Sequence, residues 1–321
     1  MVAWWLRAVT VWNVGLWLVW MLWAWPRSVP MALVGTLLFA VAGRIWMASQ
    51  FLCLQWVRHS TGEPPLPWSV VARAWNAECH ISLRAFGWNM PWKEYEPPDA
   101  LPDQSNAKAG VVLVHGWMCN RAVWADAMRV LQAQGIPCVA VSMPILLHRI
   151  GTGRDRIDTA AQRMQQATGW RPVVVAHSMG GLMVRDWLRS LSSADVPHRP
   201  AAVITVGSPH HGTWMARWAW GANVLQMRPN SAWLQALAAE EAQPHSAARQ
   251  VRWHCMASDA DNVVMPGQTA FLPHAHNEWL HGMAHVEMLY APRLWAVVQQ
   301  ELEAASQAGA QIPQTAKENA A

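Results

Sequence analysis

The apolar positions of this chain follow two patterns, and the pattern changes near residue 60. Residues 8–25 (AVTVWNVGLWLVWMLWAW) carry no charge; Asn13 is their most polar member, Arg7 precedes them and Pro26-Arg27 closes them. About 20 apolar residues are needed for a helix to cross a bilayer, so this stretch with its flanks is long enough. It is too long for the apolar core of a cleaved signal peptide, and no A-x-A site follows it. A second apolar stretch runs from Pro30 to about Val57 and is interrupted by Arg44. Its first part, MALVGTLLFAVAG, has 13 residues and is too short to span alone. The whole stretch spans only if Arg44 finds a partner or snorkels to the interface. Two arrangements fit: a two-helix hairpin, or one spanning helix followed by an interfacial one. The hairpin fits better. Arg7 and the N-terminus on one side, with Arg58, Arg73 and Arg84 after the second segment, outweigh the single Arg27 of the connection. By the positive-inside rule both ends then lie in the cytoplasm, which predicts a membrane protein with its later part facing the cytoplasm.

From Ala109 onward the pattern changes to short β-branched runs alternating with helical periodicity. Strands are predicted at 110–116, 136–143, 171–178, 201–208 and 251–258, and helices at about 121–134, 155–168, 180–192, 231–240 and 291–304. That alternation implies an α/β fold with a mostly parallel sheet covered by helices on both faces. Near-continuous apolar strands such as VVLV and VVVA agree, because parallel strands are buried on both sides. Between the two patterns, EPPLPW (63–68) and EPPDALPDQS (96–105) read as Pro-rich linkers around a connecting helix, Val70 to Phe86. The predicted organisation is a membrane anchor over 1–60, a connecting region over 61–105, an α/β body over 106–304 and a disordered Ala/Gln-rich tail over 305–321. On this division the anchor and the body are separable, and a chain starting near residue 61 is expected to be soluble and active. There is no internal repeat.

Composition sharpens the membrane reading. Hydrophobic residues make up 53% and charged residues 14% of the 321 residues, against a usual charged share of about 25%, which excludes a disordered chain. Of 24 Trp, nine lie before residue 60, and Trp favours the membrane–water boundary because its ring is apolar while its N–H needs a partner. Net charge is +4, but the arginines are scattered singly and Lys occurs only at 93, 108 and 317. No run tracks a phosphate backbone, so no nucleic-acid partner is predicted. The five cysteines, 53, 79, 119, 138 and 255, form no CxxC pair, so neither a disulfide framework nor a zinc finger is indicated.

The sharpest chemical signal is RPVVVAHSMGGLMVRDWL, a strand running through A-H-S-M-G into a helix. It is a nucleophile elbow, G-x-S-x-G, with Ala176 in place of the first glycine. Such a turn holds its serine in a strained backbone conformation with the hydroxyl above the sheet, and it needs small residues two before and two after, here Ala176 and Gly180. Ser178 is therefore the candidate nucleophile. The helix beginning at Met179 points its positive end at the place where an oxyanion would develop. A second signal, VVLVHGWMCN, ends a strand in His115-Gly116, and the amides of Trp117 and Met179 are the candidate oxyanion hole.

A serine needs a base and the base an orienting acid, in the chain order serine, acid, histidine. Asp259 and Asp261 follow a predicted strand in MASDADNVVMP, and Asp261 is the better candidate. Among His274, His276, His281 and His285, His285 in HGMAHVEML is the better base, just before the last helix. The spacings His274-x-His276 and His281-x-x-x-His285 also allow a metal reading, but no Cys or H-E-x-x-H accompanies them, so no metal is predicted. His177 is read as a packing and hydrogen-bonding neighbour whose side chain points away from the serine. The segment 207–237 carries Trp214, Trp218, Trp220 and Trp233. It reads either as a lid and acyl-binding wall, with Trp214, Trp218 and Trp220 touching substrate, or as a Trp-rich packing helix.

With these motifs the chain resembles the α/β-hydrolase superfamily, and within it bacterial lipases and esterases of the triacylglycerol-lipase-like group. The resemblance rests on HGWMCNRAVW, VVVAHSMGGLMVR, TVGSPHHGT, DNVVMP and GMAHVEML, covers roughly 105–304, and is most specific at the elbow. Alanine before the x-Ser-x-Gly occurs among lipases. Dehalogenases and epoxide hydrolases of this fold place Asp at the elbow, where this chain has Ser178. The membrane segments lie outside the usual lipase pattern. The resemblance implies an α/β-hydrolase fold and a cofactor-free serine hydrolase of carboxylic esters, with lipid-like acyl esters as substrate. Acyl transfer or thioester hydrolysis would use the same residues, and a silent scaffold would keep the fold without the chemistry.

Overall fold

The structure is a computed structural model that describes residues 1–102, 108–143, 147–191 and 199–307. Its centre is a six-stranded sheet: β1 (Val111–Val114), β2 (Cys138–Val141), β3 (Val173–His177), β4 (Ala202–Val206), β5 (Arg252–Ala257) and β6 (His276–Trp279). The order is β2-β1-β3-β4-β5-β6, and every pairing is parallel. The chain enters at β1, steps out to β2, and returns past β1 to β3. The crevice of such a sheet opens where that reversal occurs, at the carboxyl ends of β1 and β3.

The predicted strands are all present, and β6 is an addition. It escapes the periodicity because its four residues, HNEW, sit at the sheet edge and are mostly exposed. The inner strands are buried on both faces. Val111, Leu113, Val173, Val175, Ile204 and Val206 face one core, while Val112, Val114, Val174, Ala176 and Val203 face the other. This alternate partition of an unbroken apolar run is what a doubly covered parallel sheet requires.

Helices α1 (Val2–Ala24), α2 (Val29–Ser60) and α3 (Trp68–Arg84) precede the sheet, followed by a wide helical turn (Ala85–Asn89) and the short α4 (Met90–Trp92). Helices α5 (Ala125–Ala133), α6 (Arg154–Thr168), α7 (Met179–Ser190), α8 (Ala222–Gln226), α9 (Ala232–Glu241) and α10 (Pro292–Gln307) accompany the strands. The predicted tail begins inside α10, and its residues 308–321 lie outside the described residues, as do 103–105 of the second predicted linker and Ser192 of a predicted helix.

Helices α1 and α2 are both long and apolar enough to cross a membrane. They pack on each other through Trp17, whose Nε1 donates to Thr36 Oγ1 at 3.2 Å, and Trp20, whose Nε1 donates to the Ala32 carbonyl at 3.4 Å. Arg7 and Arg44 stand at the opposite end from the connecting turn. Arg7 donates to the Pro91 carbonyl and stacks over Trp92. Arg44 donates to Asn76 Oδ1 at 2.9 Å and lies over Trp75, whose own Nε1 donates to the Arg44 carbonyl. The arginines thus meet the helices that follow the hairpin, Arg7 at α4 and Arg44 at α3.

Beyond Arg44, α2 changes surroundings without a break. Phe51, Leu54 and Val57 are buried with Val71 and Ala74 of α3 and with Ala260, Met265 and Ala284 of the α/β body. The proline-rich turn after α2 does not behave as a slack linker. Gln55 pairs with both the N–H and the carbonyl of Leu66. Arg58 donates to the Pro64 carbonyl, pairs with Glu63 at 2.8 Å and reaches the Asp259 carbonyl at 3.2 Å. The expectation that anchor and body part at 63–68 meets a continuous packed contact instead. Apolar side chains on one face of α2 dictate it, and they are invisible in a stretch that is hydrophobic all round.

Candidate active site

Ser178 follows β3 at the start of α7 with φ 56° and ψ −133°, a left-handed-side conformation that costs a non-glycine residue free energy. The turn is held by the Ser178 amide, which donates to the Val206 carbonyl at 2.9 Å. A Cβ on Gly180 would come within 2.7 Å of the Val114 carbonyl oxygen, so the residue two past the serine has to be small. Across the crevice a Cβ on Gly116 would lie 2.6 Å from the Ser178 Cβ, which sets how closely the β1 loop approaches the serine.

That loop is stitched from behind by His115. Its Nδ1 lies 2.8 Å from the Gly116 carbonyl oxygen, and its Nε2 accepts the Met143 amide at 3.0 Å. The ring therefore carries its proton on Nδ1 and is neutral; burial pulls its pKa down to about 4. Fixing the Gly116 carbonyl also fixes the Trp117 N–H, because the two share one planar peptide and point opposite ways. Met179 opens α7, where the helix end favours negative charge.

His285 and Asp261 meet at 2.9 Å, Nδ1 to Oδ2. The other Asp261 oxygen accepts the amides of Val263 and Val264, both at 2.8 Å, so the carboxylate is locked. Burial alone would lower the His285 pKa, but the charge and hydrogen bond of Asp261 and the charge of Glu78 overcome it, and the pKa lies above the ordinary histidine value. With Nδ1 held by Asp261, Nε2 is the nitrogen left for a hydroxyl. Asp259 is engaged elsewhere, with His281 Nδ1 at 2.9 Å and the Gly282 amide at 2.6 Å. His276 lies on the sheet edge near Glu278, and His274 packs edge-on against Trp253. Among the described residues no group of His, Cys, Asp and Glu could hold a metal ion.

His177 departs from its expected orientation. Its ring lies 4.5 Å from that of His285, centroid to centroid, and its Nε2 is 3.2 Å from the His285 carbonyl oxygen. It is the anticipated hydrogen-bonding neighbour, but it points toward the base rather than away. Burial and the neighbouring His285 hold its pKa well below the ordinary value, so it stays neutral.

Ser178, His177 and His285 open into one mostly apolar cavity of about 480 Å³. Of the three tryptophans expected to touch substrate, only Trp218 lines it, beside Met215 and Met227. Trp214 is wedged between Trp56 and Trp218, at 4.9 and 5.6 Å. Trp220 is 77% exposed outside the cavity, and Trp233 packs on the sheet-side core. The Trp-rich segment is two short helical turns and α9 rather than one packing helix.

The opposite wall comes from residues that sequence reasoning did not connect with the site: Trp46, Met47 and Gln50 of α2, Glu78 and Ser82 of α3, and Phe86. One signal was available. Val71, Ala74 and Glu78 share a helical face at spacings of three and four, so an acid sits on a core-facing stripe. A buried acid needs partners, which here are the Val286 and Glu287 amides of the loop that carries His285.

Residues 111–317 match the model of the alpha/beta hydrolase family. The chain belongs to that family. No curated protein matches the sequence of this hydrolase. Among solved structures it is similar to the mature lipase BlEst2 of Bacillus licheniformis, with 18% identity and a TM-score of 0.53 over 64% of this chain and 95% of that one. It is also similar to lipase B of Aspergillus fumigatus, with 19% identity and a TM-score of 0.53 over 63% of this chain and 54% of that one. At such identities the likeness shows the fold. The hydrolase match begins at β1, so α1 to α4 stand outside it.

Proposed function

We propose that this protein is a membrane-anchored serine hydrolase of carboxylic esters with lipid-like acyl groups. The observation that carries the reading is the His285–Asp261 contact at 2.9 Å in the same cavity as a serine held at positive φ. Ser178 attacks the ester carbonyl while His285 Nε2 takes its proton. The charge on the carbonyl oxygen falls to the amides of Trp117 and Met179, which are oriented before reaction. Protonated His285, stabilised by Asp261, then gives its proton to the departing alcohol. A water activated by the same imidazole releases the acid from Ser178. Each step uses side chains and amides of this chain.

The acyl group is assigned to the cavity between Met215, Trp218 and Met227 on one side and Trp46, Met47 and Phe86 on the other, an apolar slot suited to a hydrocarbon chain. The two similar structures are both lipases, which agrees with an ester substrate. Membrane anchoring follows from the hairpin: α1 beyond Arg7 is about 26 Å long at 1.5 Å per residue, close to the roughly 30 Å of bilayer hydrocarbon. Arg7 and Arg44 would stand at one boundary, with the body beside it. The basic residues on that side assign it to the cytoplasm.

The test is labelling of the full-length protein in detergent with a fluorophosphonate, followed by peptide mapping and hydrolysis of esters of graded acyl length. The label should map to Ser178, and the rate should rise with chain length until the cavity is filled. A protein that neither labels at Ser178 nor hydrolyses any ester of the series sinks the reading.

A further inference from the structure

Four consecutive amides around the base are held by side chains rather than by regular backbone structure. The Ala284 amide donates to Glu287 Oε2 at 2.8 Å. The His285 amide donates to Asn262 Oδ1 at 3.1 Å. The Val286 amide lies 3.0 Å from both carboxylate oxygens of Glu78, and the Glu287 amide donates to Glu78 Oε2 at 3.1 Å. Two of these amides, Val286 and Glu287, are held from outside the part of the chain that matches the hydrolase family, and a third is supported from there. Glu78 belongs to α3. Asn262 is itself fixed by Gln50 of α2, its Nδ2 donating to Gln50 Oε1 at 2.7 Å. Arg73 of α3 adds a third link by pairing with Glu287 at 2.6 Å.

Glu78 is 1% exposed and shares the cavity wall with Ser178 and His285. A buried carboxylate is a costly way to accept two amide hydrogen bonds, since a neutral amide oxygen could accept them without the desolvation penalty of a charge. Its placement near an imidazole that must become charged during the reaction offers a reason for the acid.

We propose that Glu78 is a positioning residue for His285: it fixes the peptide units that carry the base and supplies a second negative charge to the imidazolium, with Gln50 a lesser clamp acting through Asn262. This rests on the reading of Ser178, His285 and Asp261 as a hydrolytic triad. The groups facing His285 are Asp261 from the loop after β5, Glu78 from α3 and the neutral His177 from the end of β3. Those acting on Glu78 are His285 and Asp261. The Glu287 carboxylate, beside this loop, is paired with Arg73 at 2.6 Å. Burial pushes the Glu78 carboxyl up to about 7, against the pull of His285 and the two amides. Each therefore biases the proton occupancy of the other, and the two titrate as a pair.

The experiment uses the full-length protein in detergent micelles and a short, dissolved ester, with kcat and KM measured across pH for wild type, Glu78→Gln, Glu78→Ala and Gln50→Ala. Glu78→Gln keeps an oxygen for the amides and removes the charge. It should retain most of kcat at high pH and move the acid limb of kcat/KM down by about one pH unit, because the imidazolium loses a neighbouring anion. Glu78→Ala should show the same limb movement and a kcat lower by about tenfold or more, with KM nearly unchanged, since the loop carrying the base is released. Gln50→Ala should lower kcat by only a few fold and leave the acid limb in place. An acid limb unmoved in Glu78→Gln overturns the proposal, whether or not the alanine variant folds. So does a Glu78→Ala protein that folds and keeps the wild-type kcat. Failure of the wild type to hydrolyse the ester or react with fluorophosphonate would instead remove the triad reading beneath it.

Discussion

The central strands and the N-terminal hairpin are built from similar apolar residues, yet they meet opposite surroundings. Val111, Leu113, Val173 and Ile204 have no exposed surface, whereas Trp12, Leu22, Leu37 and Leu38 are each more than half exposed. In water the second arrangement would be an aggregation hazard; in a bilayer it is the ordinary state of a spanning helix, because lipid chains are as apolar as leucine. Helix α2 contains both regimes. Before Arg44 the large apolar side chains Leu33, Val34, Leu37 and Leu38 point outward, and beyond it Phe51, Leu54 and Val57 are buried against the α/β body. The change of surroundings therefore runs across a continuous helix rather than through the proline-rich turn after it.

The largest expected effect lies wholly on the body side. Ser178→Ala and His285→Ala should each lower ester hydrolysis on the order of 10³-fold or more while the protein stays folded, and the double variant should be no slower than either, because the two act as one unit. Asp261→Asn should be severe and Asp259→Asn mild, since only Asp261 touches the His285 ring. Steady-state rates on a dissolved ester, with circular dichroism as the check on folding, decide this. A double variant markedly slower than Ser178→Ala would break the unit.

The next effect tests where the two regions part. Deleting residues 1–60 removes Phe51, Leu54 and Val57 from a shared core. At about 1.5–3 kcal/mol for each buried side chain, the loss is roughly 5–9 kcal/mol, comparable with the whole stability of many domains. The shortened protein should be recovered unfolded or aggregated and inactive even on a dissolved ester. Leu54→Ala in the full chain should cost about 2–5 kcal/mol, read as a lower midpoint of thermal unfolding. A shortened chain that is soluble and fully active would restore a boundary at the proline-rich turn.

The same contrast explains what could be read before the fold was in view. The inner strands, the elbow at Ser178 and the hairpin were legible because each rests on local pattern: β-branched runs, small residues around one serine, charge-free stretches. Strand β6 was not, since HNEW at an exposed edge has no apolar alternation. The cavity wall from α2 and α3 was not, because it depends on which face of a uniformly apolar helix meets the body. Trp214 and Trp220 illustrate the same limit. Composition placed them near the site, but side-chain direction turned one into a wedge against Trp56 and the other out to the surface. His177 was misjudged in direction for the same reason.

A smaller effect is the pH dependence of the wild-type enzyme. The proposed base His285 can take a proton only when neutral, and its pKa lies above the ordinary histidine value of 6.5 because Asp261 and Glu78 outweigh the effect of burial. Activity should therefore be full at alkaline pH and be lost as pH falls through a value above 6.5. The profile of kcat/KM on a dissolved ester measures this for the free enzyme. An acid limb well below the ordinary histidine pKa would mean that burial dominates and that the two carboxylates do not act on the ring as placed.

The smallest effect on the chemistry should come from the outward-facing side of the hairpin. Leu22 and Leu37 are 77% and 61% exposed, and neither lines the cavity that holds Ser178 and His285. Replacing both with asparagine removes apolar surface from the bilayer and adds polar groups there, which is unfavourable for a spanning segment. It leaves Phe51, Leu54, Gln50 and Glu78 untouched. Hydrolysis of a dissolved ester should thus stay within about twofold of wild type, since no group that touches or positions the reacting atoms changes. Partition into phospholipid vesicles, measured by flotation, should fall, and hydrolysis of an ester carried in those vesicles should fall with it. The two readouts move together only if the hairpin serves solely to keep the cavity at the lipid surface. Loss of activity on the dissolved ester at unchanged thermal stability would show that the outer half of the hairpin also shapes the active site, and would erase the distinction drawn at Arg44. Undiminished vesicle binding would show that Leu22 and Leu37 do not face lipid.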